Sequence, residues 1–117
     1  MLYYKGETME KQVLIKEIEK KIRRIKKDLQ SIGDMRPGSI SEQFKDPKTK
    51  SGAYYQLNYT HKMQTRTEYI RKKNLDVLKQ EVAEYQRLRS LIDTWVTLGI
   101  QASKLKTKKT NSGSQSS

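Results

Sequence analysis

The chain has 117 residues, with 25 lysines and arginines against 13 acidic residues, for a formal net charge of +12. It contains no cysteine, which excludes disulfides, thiolate metal sites and cysteine nucleophiles. The sequence has no apolar run near the roughly 20 residues of a membrane span, and its amino terminus lacks the apolar core of a signal peptide, so we expect a cytoplasmic protein with no membrane partner.

The positive charge is spread over all three thirds of the chain rather than confined to one tail. Such a field attracts polyanions, of which nucleic acid is the commonest. Hydrophobic residues make up only 33% of the chain, which predicts a thin core. We therefore expect long helices packed along their length, or a second copy of the chain, to bury enough apolar surface.

A stripe of isoleucines predicts a long amino-terminal helix over residues 9–32. Apolar residues recur there at spacings of three and four, the pattern of a helix that packs along one face. We expect Thr8 to cap its start and Gly33 to end it. Six cations lie between the stripe residues and form either a solvated flank or a surface that follows phosphates. They are Lys20, Lys21, Arg23, Arg24, Lys26 and Lys27.

Residues 33–52 contain both prolines and little apolar material, so a turn-rich linker is predicted there. Pro37 and Gly38 are typical of a turn. Ser39, with Glu42 three residues later, fits the cap of a short helix.

Alternating residues over 53–72 predict a two-stranded antiparallel hairpin, with a turn at residues 61–64. If Thr60 opposes Thr65, two faces follow. The more apolar face, expected to meet a helix, carries Tyr55, Leu57, Tyr59, Arg66, Glu68 and Ile70. The other face carries Tyr54, Gln56, Asn58, Thr67, Tyr69 and Arg71.

A second long helix is predicted over 74–105, with Asn74 as its cap. Its apolar face widens after Leu88, which favours burial against more than one neighbour. One neighbour is the first helix, and the alternative for the rest is a second subunit. Trp95, midway along this face, is expected to be largely buried. The basic, serine-rich residues 107–117 are expected to be a disordered tail.

These elements predict an α+β fold in one small domain over residues 1–106. Its order is a long helix, a turn-rich linker, a two-stranded hairpin and a long helix packed antiparallel on the first. The single histidine, His61, falls on a turn without other metal ligands, and no phosphate-binding glycine loop is present. We therefore expect neither catalysis nor a cofactor.

The resulting hypothesis is a non-catalytic protein that binds nucleic acid. The six helix cations would hold phosphates, while Gln56 and Asn58 would read adenine edges and Arg66 and Arg71 would reach guanine or phosphate. DNA is favoured over RNA because a two-stranded ribbon fits the DNA major groove. The alternative is a structural protein that forms a homodimer through the wide face of the second helix.

The segments Met35–Phe44 and Gly52–Thr60 resemble a family of short uncharacterised prokaryotic proteins, and the similarity covers roughly residues 35–105. Members are often found beside transposase genes, so the resemblance implies a mobile genetic element and its proteins as partners. Relatives often carry a cysteine cluster that looks like a zinc knuckle between these two segments. Here Lys45–Gly52 contains no cysteine, so the resemblance does not extend to zinc.

Overall fold

The computed structural model describes residues 5–107, with side chains from residue 9 onward. The predicted cap Thr8 has its side chain outside the described residues, although the backbone there is already helical. Of the predicted tail, Thr107 ends a helix and residues 108–117 lie outside the description. The elements are α1 (Lys5–Gln30), β1 (Ser39–Asp46), β2 (Ser51–His61), β3 (Gln64–Ile70), a 3-10 turn (Lys72–Asn74) and α2 (Leu75–Thr107).

The chain divides into two compact units. The helical unit contains the residues up to Ser31 and those from Ser90 onward, and the sheet unit is Ile32–Arg89. Helix α2 contributes its first half to the sheet unit and its second half to the helical unit. The single domain over residues 1–106 stays a prediction.

The sheet has three strands in the order β1-β2-β3, so the predicted two-stranded hairpin is wrong. The residues read as the start of a short helix, from Ser39 to Glu42, belong to β1, which pairs antiparallel with β2. The linker is therefore confined to the residues before Ser39 and the turn after Asp46. Ile40 and Phe44 lie four residues apart, a spacing that fits either a strand or a helix. Pairing with β2 satisfies the backbone of β1 and therefore outweighs the local capping pattern.

The predicted register of β2 and β3 is confirmed, with Thr60 opposite Thr65 and Leu57 opposite Glu68. The two strands are joined by a two-residue turn at Lys62 and Met63, whose φ angles are 52° and 66°. Both residues occupy the left-handed region that such hairpin turns require, even though neither is glycine or asparagine. The strand alternation therefore places the two sets of side chains on the predicted faces.

The more apolar sheet face packs against the first half of α2, as the alternation predicts. Leu57 is fully buried, and Ile70 and Val82 are nearly so. Partly buried residues surround this cluster: Ile40, Tyr55, Tyr59, Leu75 and Leu78. The sheet unit thus holds its core between the sheet and one helix face.

In the helical unit, α1 and the second half of α2 pack in antiparallel order. Ile18 and Ile25 of α1 form a buried cluster with Leu98 and Ala102 of α2. The carboxylate of Glu19 lies 3.6 Å from Lys106 Nζ at one end. At the other end, Lys26 Nζ lies 5.4 Å from the centre of the Trp95 ring. Early residues of α1 therefore meet late residues of α2.

Trp95 packs against this cluster with the smaller part of its surface exposed, which agrees with the expectation of a largely buried tryptophan. Its ring lies at the margin of the apolar seam, where Lys26 covers it. A second stripe beside it faces solvent, with Ile92 40%, Val96 55% and Ile100 51% exposed. Part of the wide apolar face of α2 is therefore not covered by the residues that the structure describes.

Candidate nucleic-acid interface

Helix α1 carries a continuous row of cations on the side opposite its buried residues. Ile18, Ile22 and Ile25 define the buried side. Residues at spacings of three and four share a helix face, so the cations of the opposite side lie above one another. We call these residues the basic stripe: Lys16, Lys20, Arg23, Arg24 and Lys27, all exposed.

The basic stripe carries more cations than the carboxylates beside it can balance. None of the ion pairs found within the described part of the chain includes a stripe residue. Arg23, Arg24 and Lys27 instead line a shallow depression of about 380 Å³ together with Asp28. Like charges at this spacing cost a few tenths of a kcal/mol per pair. An anionic ligand would relieve that repulsion.

The six predicted cations do not act as one set. Four of them lie on the basic stripe, whereas Lys26 rests over the Trp95 ring and Lys21 lies about a quarter turn to one side. Lys16 extends the stripe by one helical turn and was missed by the sequence prediction. Its position four residues before Lys20 was the signal that could have found it.

The four hairpin residues predicted to meet nucleic acid lie on different surfaces. Gln56 and Asn58 lie on the sheet face that points away from α2, whereas Arg66 lies on the face that packs on α2 and donates to Gln64 Oε1 at 2.8 Å. Arg71 follows the end of β3 as an extended residue before the 3-10 turn. The structure therefore does not unite these four residues as one reading surface.

The amide of Asn58 is engaged at both ends within the sheet. Its Nδ2 donates to Ser41 Oγ at 3.1 Å, and its Oδ1 accepts from Thr67 Oγ1 at 2.9 Å. Reading adenine requires both ends of the same amide, so Asn58 would have to give up both bonds. The Gln56 amide is half-buried and takes part in none of the hydrogen bonds of residues 9–107. Adenine readout by either residue stays a prediction.

The sheet face that points away from α2, which we call the outer sheet face, is polar and aromatic. Its carboxylate-bearing neighbours Glu42 and Glu68 point to the other face, as the strand register requires. The outer sheet face consists of Ser39, Ser41, Gln43, Lys45, Tyr54, Gln56, Asn58, Thr60, Thr65, Thr67 and Tyr69.

Tyr54 and Tyr69 form an aromatic pair on the outer sheet face, with ring centres 6.5 Å apart. Together with Lys45, Gly52 and Ala53 they line an open depression of about 500 Å³. The alternation had placed both tyrosines on this face. The position of Lys45 could not be foreseen, because the sequence prediction placed it in a loop.

Arg36, within the segment that carries the family resemblance, holds the chain in place rather than facing a ligand. Its Nη2 donates to Glu68 Oε1 at 2.9 Å, and its backbone N–H donates to the Glu81 carbonyl at 3.1 Å. The Tyr59 hydroxyl donates to Glu68 Oε2 at 2.9 Å. These hydrogen bonds, first that of Arg36, hold the pKa of Glu68 below its usual value. Arg36 thus ties the segment before β1 to both β3 and α2.

Gly33 and Gly38 complete this attachment. The Gly33 N–H donates to Glu84 Oε2 at 2.7 Å, which lowers the pKa of that carboxyl. Helix α1 has already ended at Gln30, so Gly33 is an anchor rather than the predicted helix stop. Gly38 has a φ of 119°, and a Cβ there would lie 2.5 Å from the Asn58 carbonyl oxygen. Only glycine allows this close approach to β2.

Residues 9–107 contain no group of three or more histidines, cysteines or carboxylates that could hold a metal ion. His61 is exposed beside the hairpin turn. Neither helix of the described chain is long and apolar enough to cross a membrane.

Residues 15–80 match a family model described as a domain of unknown function, DUF6788. The match includes α1 from Ile15, the whole sheet and the start of α2, which is more than half of the chain. The match therefore begins 20 residues before the expected range of 35–105 and ends 25 residues before its end. The description of the family carries no link to transposases. No curated protein and no solved structure matches the chain. The chain belongs to the DUF6788 family.

Proposed function

We propose that this protein is a non-catalytic nucleic-acid-binding protein whose basic stripe holds a row of phosphates. The observation that supports this most is the stripe itself, which has five exposed cations on one side of α1, opposite the buried side. The net charge of +12 adds a long-range attraction for the same kind of ligand.

The length of the stripe suits a nucleic-acid backbone. From Lys16 to Lys27 the helix rises by about 16 Å, at about 1.5 Å per residue. Duplex DNA carries one phosphate per roughly 3.4 Å on each strand, so about five phosphates of one strand fall within that length. One strand winds around the duplex, so five phosphate contacts are the upper limit for this straight row. The slope of log K against log salt on duplex DNA is therefore expected to reach at most about −4.5.

The expected preference for DNA loses its basis, because it rested on a two-stranded ribbon and the sheet has three strands. Cations on a helix attract the backbone of DNA and RNA alike. A role beside the proteins of a mobile genetic element rests on the family resemblance alone and remains part of the proposal. A location in the cytoplasm, where such partners are found, also remains part of the proposal.

The test is a titration of fluorescent duplex DNA by anisotropy at several salt concentrations. The variant replaces Lys20, Arg23, Arg24 and Lys27 with Gln, which preserves helix propensity. Loss of four phosphate contacts reduces the magnitude of the slope by about 3.6. The matched control removes four exposed cations of the sheet unit. It replaces Lys48, Lys72, Lys73 and Lys79 with Gln.

The proposal holds if the stripe variant flattens the salt dependence and the control variant does so far less. Equal effects of both variants would mean that net charge alone attracts the polyanion, and the stripe would have no special role. Absence of measurable binding at low salt to duplex, single-stranded DNA and RNA would overturn the proposal entirely.

A second candidate is assembly of two copies through the exposed stripe of Ile92, Val96 and Ile100. The exposure of these three residues favours it. Leu91 and Leu98, by contrast, pack within the chain's own helical unit, so polar residues there would damage folding. Sedimentation equilibrium of Val96→Glu tests this candidate. Val77→Glu, at a residue of similar exposure (54%), serves as the control.

A further inference from the structure

We infer that the outer sheet face binds single-stranded nucleic acid, with bases stacked on Tyr54 and Tyr69 and a phosphate held by Lys45. This inference rests on the proposed function but concerns a different surface from the basic stripe. It names the class of ligand, unpaired nucleotides, that this surface takes.

The tyrosines of the two sheet faces have different roles. On the face that packs on α2, the Tyr55 and Tyr59 hydroxyls donate to Glu42 and Glu68. On the outer sheet face, the hydroxyls of Tyr54 and Tyr69 take part in none of the hydrogen bonds of the described residues. Tyr69 is 68% exposed, and the two rings are tilted by 36° with centres 6.5 Å apart. An aromatic pair with one ring exposed and the other half-buried offers flat apolar surface that bases can stack on.

Charge on this surface favours an anionic ligand. The outer sheet face has no carboxylate, whereas Lys45 lines the same depression as both tyrosine rings. Gly52 sets the position of this lysine, since a Cβ there would meet Lys45 Cβ at 3.0 Å, and its φ of 71° favours glycine. A nucleotide stacked on the rings would thus have a cation within the same depression for its phosphate.

Gln56 supplies the polar contact beside the rings. In the strand register it lies between Ser41 of β1 and Tyr69 of β3. Ser41 Oγ already accepts from both Gln43 and Asn58, so these groups are satisfied within the sheet. The Gln56 amide keeps its donor and acceptor for the edge of a stacked base, a contact that single-strand binders use with little sequence preference.

The geometry favours a single strand over a duplex. Bases of a duplex are stacked on one another, so a tyrosine ring can reach only their edges, whereas unpaired bases expose their faces. The outer strands of a three-stranded sheet lie about 10 Å apart, which leaves room for two or three bases. The three-stranded sheet with its side chains would nearly fill the DNA major groove, which is roughly 12 Å wide. In that groove the rings of Tyr54 and Tyr69 would find no exposed base face to stack on.

The test uses a fluorescent oligothymidylate of about twelve nucleotides, within the usual size of such sites. Tyr69→Ala should weaken its binding by about 5- to 150-fold, the range for loss of one stacked base. Tyr69→Phe keeps the ring and serves as the matched control, with binding within about twofold of the wild type. Circular dichroism and thermal unfolding show whether each variant remains folded.

Duplex DNA and the basic-stripe variant separate this inference from the proposed function. The inference is supported if Tyr69→Ala weakens oligothymidylate binding and leaves duplex binding unchanged, while the stripe variant weakens both. If Tyr69→Ala binds oligothymidylate like the wild type, the inference fails and the proposed function stands. If Tyr69→Ala weakens duplex binding as much, the face holds a duplex and the inference also fails. If the wild type binds neither ligand, both fail.

Discussion

Replacement of Gly38 by alanine tests the attachment of the amino-terminal linker to the sheet. Gly38 follows the Arg36–Pro37 pair and directly precedes β1, where its φ of 119° lies in a region that alanine rarely adopts. A Cβ at this position would lie 2.5 Å from the Asn58 carbonyl oxygen and 2.8 Å from Tyr59 Cβ. Both contacts are with β2, so the strand or the linker has to move.

Three terms set the expected loss of stability. A non-glycine residue in such a backbone conformation costs about 1–3 kcal/mol, and forcing a methyl group into close contact costs about 1–3 kcal/mol more. The lower entropy of the unfolded alanine chain returns about 0.4–1 kcal/mol. We therefore expect Gly38→Ala to lower the free energy of unfolding by about 2–5 kcal/mol, a large part of the roughly 5–15 kcal/mol of a typical domain.

Equilibrium unfolding in urea, followed by circular dichroism, measures this change. Gly99→Ala is the matched control, because a Cβ at Gly99 in α2 meets nothing within 4 Å. There the same substitution should stabilise the protein by about 0.5–1 kcal/mol, the gain in helix propensity. A Gly38→Ala loss below about 1 kcal/mol would show that the linker shifts freely and is not held on the sheet.

Two further predictions concern named contacts. Because Arg36 and Tyr59 hold the pKa of Glu68 below its usual value of 4.5, the stability from these bonds is present above that pH and is lost as pH falls through the lowered pKa. Glu68→Gln should therefore weaken the dependence of the urea midpoint on pH below about 4.5, and an unchanged dependence would contradict this role. Trp95→Ala should cost about 2–3 kcal/mol, less than the 3–5 of a fully buried tryptophan. Its fluorescence maximum should fall between those of buried and free tryptophan, and a maximum equal to that of free tryptophan would contradict its packing on the α1–α2 cluster.

Side-chain periodicity predicted the elements whose pattern is local. The isoleucine spacing of α1 gave its buried side, and the alternation over β2 and β3 gave their register and the face that meets α2. The helix ends were displaced, because α1 begins at Lys5 and ends at Gln30 rather than spanning 9–32. The ends of a helix depend on contacts with distant parts of the same chain. Gly33 illustrates this, because its backbone N–H donates to Glu84, which is 51 residues away in the sequence.

Strand β1 was missed because its sequence satisfies two local patterns at once. Ser39 with Glu42 fits a helix cap, while Ile40 and Phe44, four residues apart, would also share one face of a strand. Only pairing with β2, a contact distant in sequence, decides between them. The same pairing places Lys45 beside Tyr54 and Tyr69, so the cation of the proposed single-strand site was not visible in the sequence.

The residues that carry the family resemblance have mainly structural roles. Arg36 bonds Glu68, Gly38 fits against β2, and Tyr59 shares the same carboxylate. They explain why a sequence of this kind folds as it does, but they do not identify a ligand. The residues proposed to bind nucleic acid are instead exposed side chains of α1 and the outer sheet face.

The surfaces of the two functional hypotheses lie on different sides of the boundary of the family match. Residues 15–80 contain the whole basic stripe and the whole outer sheet face, whereas the exposed stripe from Ile92 to Ile100 lies beyond the match. Both surfaces proposed to bind nucleic acid therefore lie within the matched family domain. Assembly through Ile92, Val96 and Ile100 would depend on the part of α2 that follows the family domain. The basic-stripe and Val96→Glu variants thus test a role of the family domain and a role of the segment after it independently, because neither substitution touches the other surface.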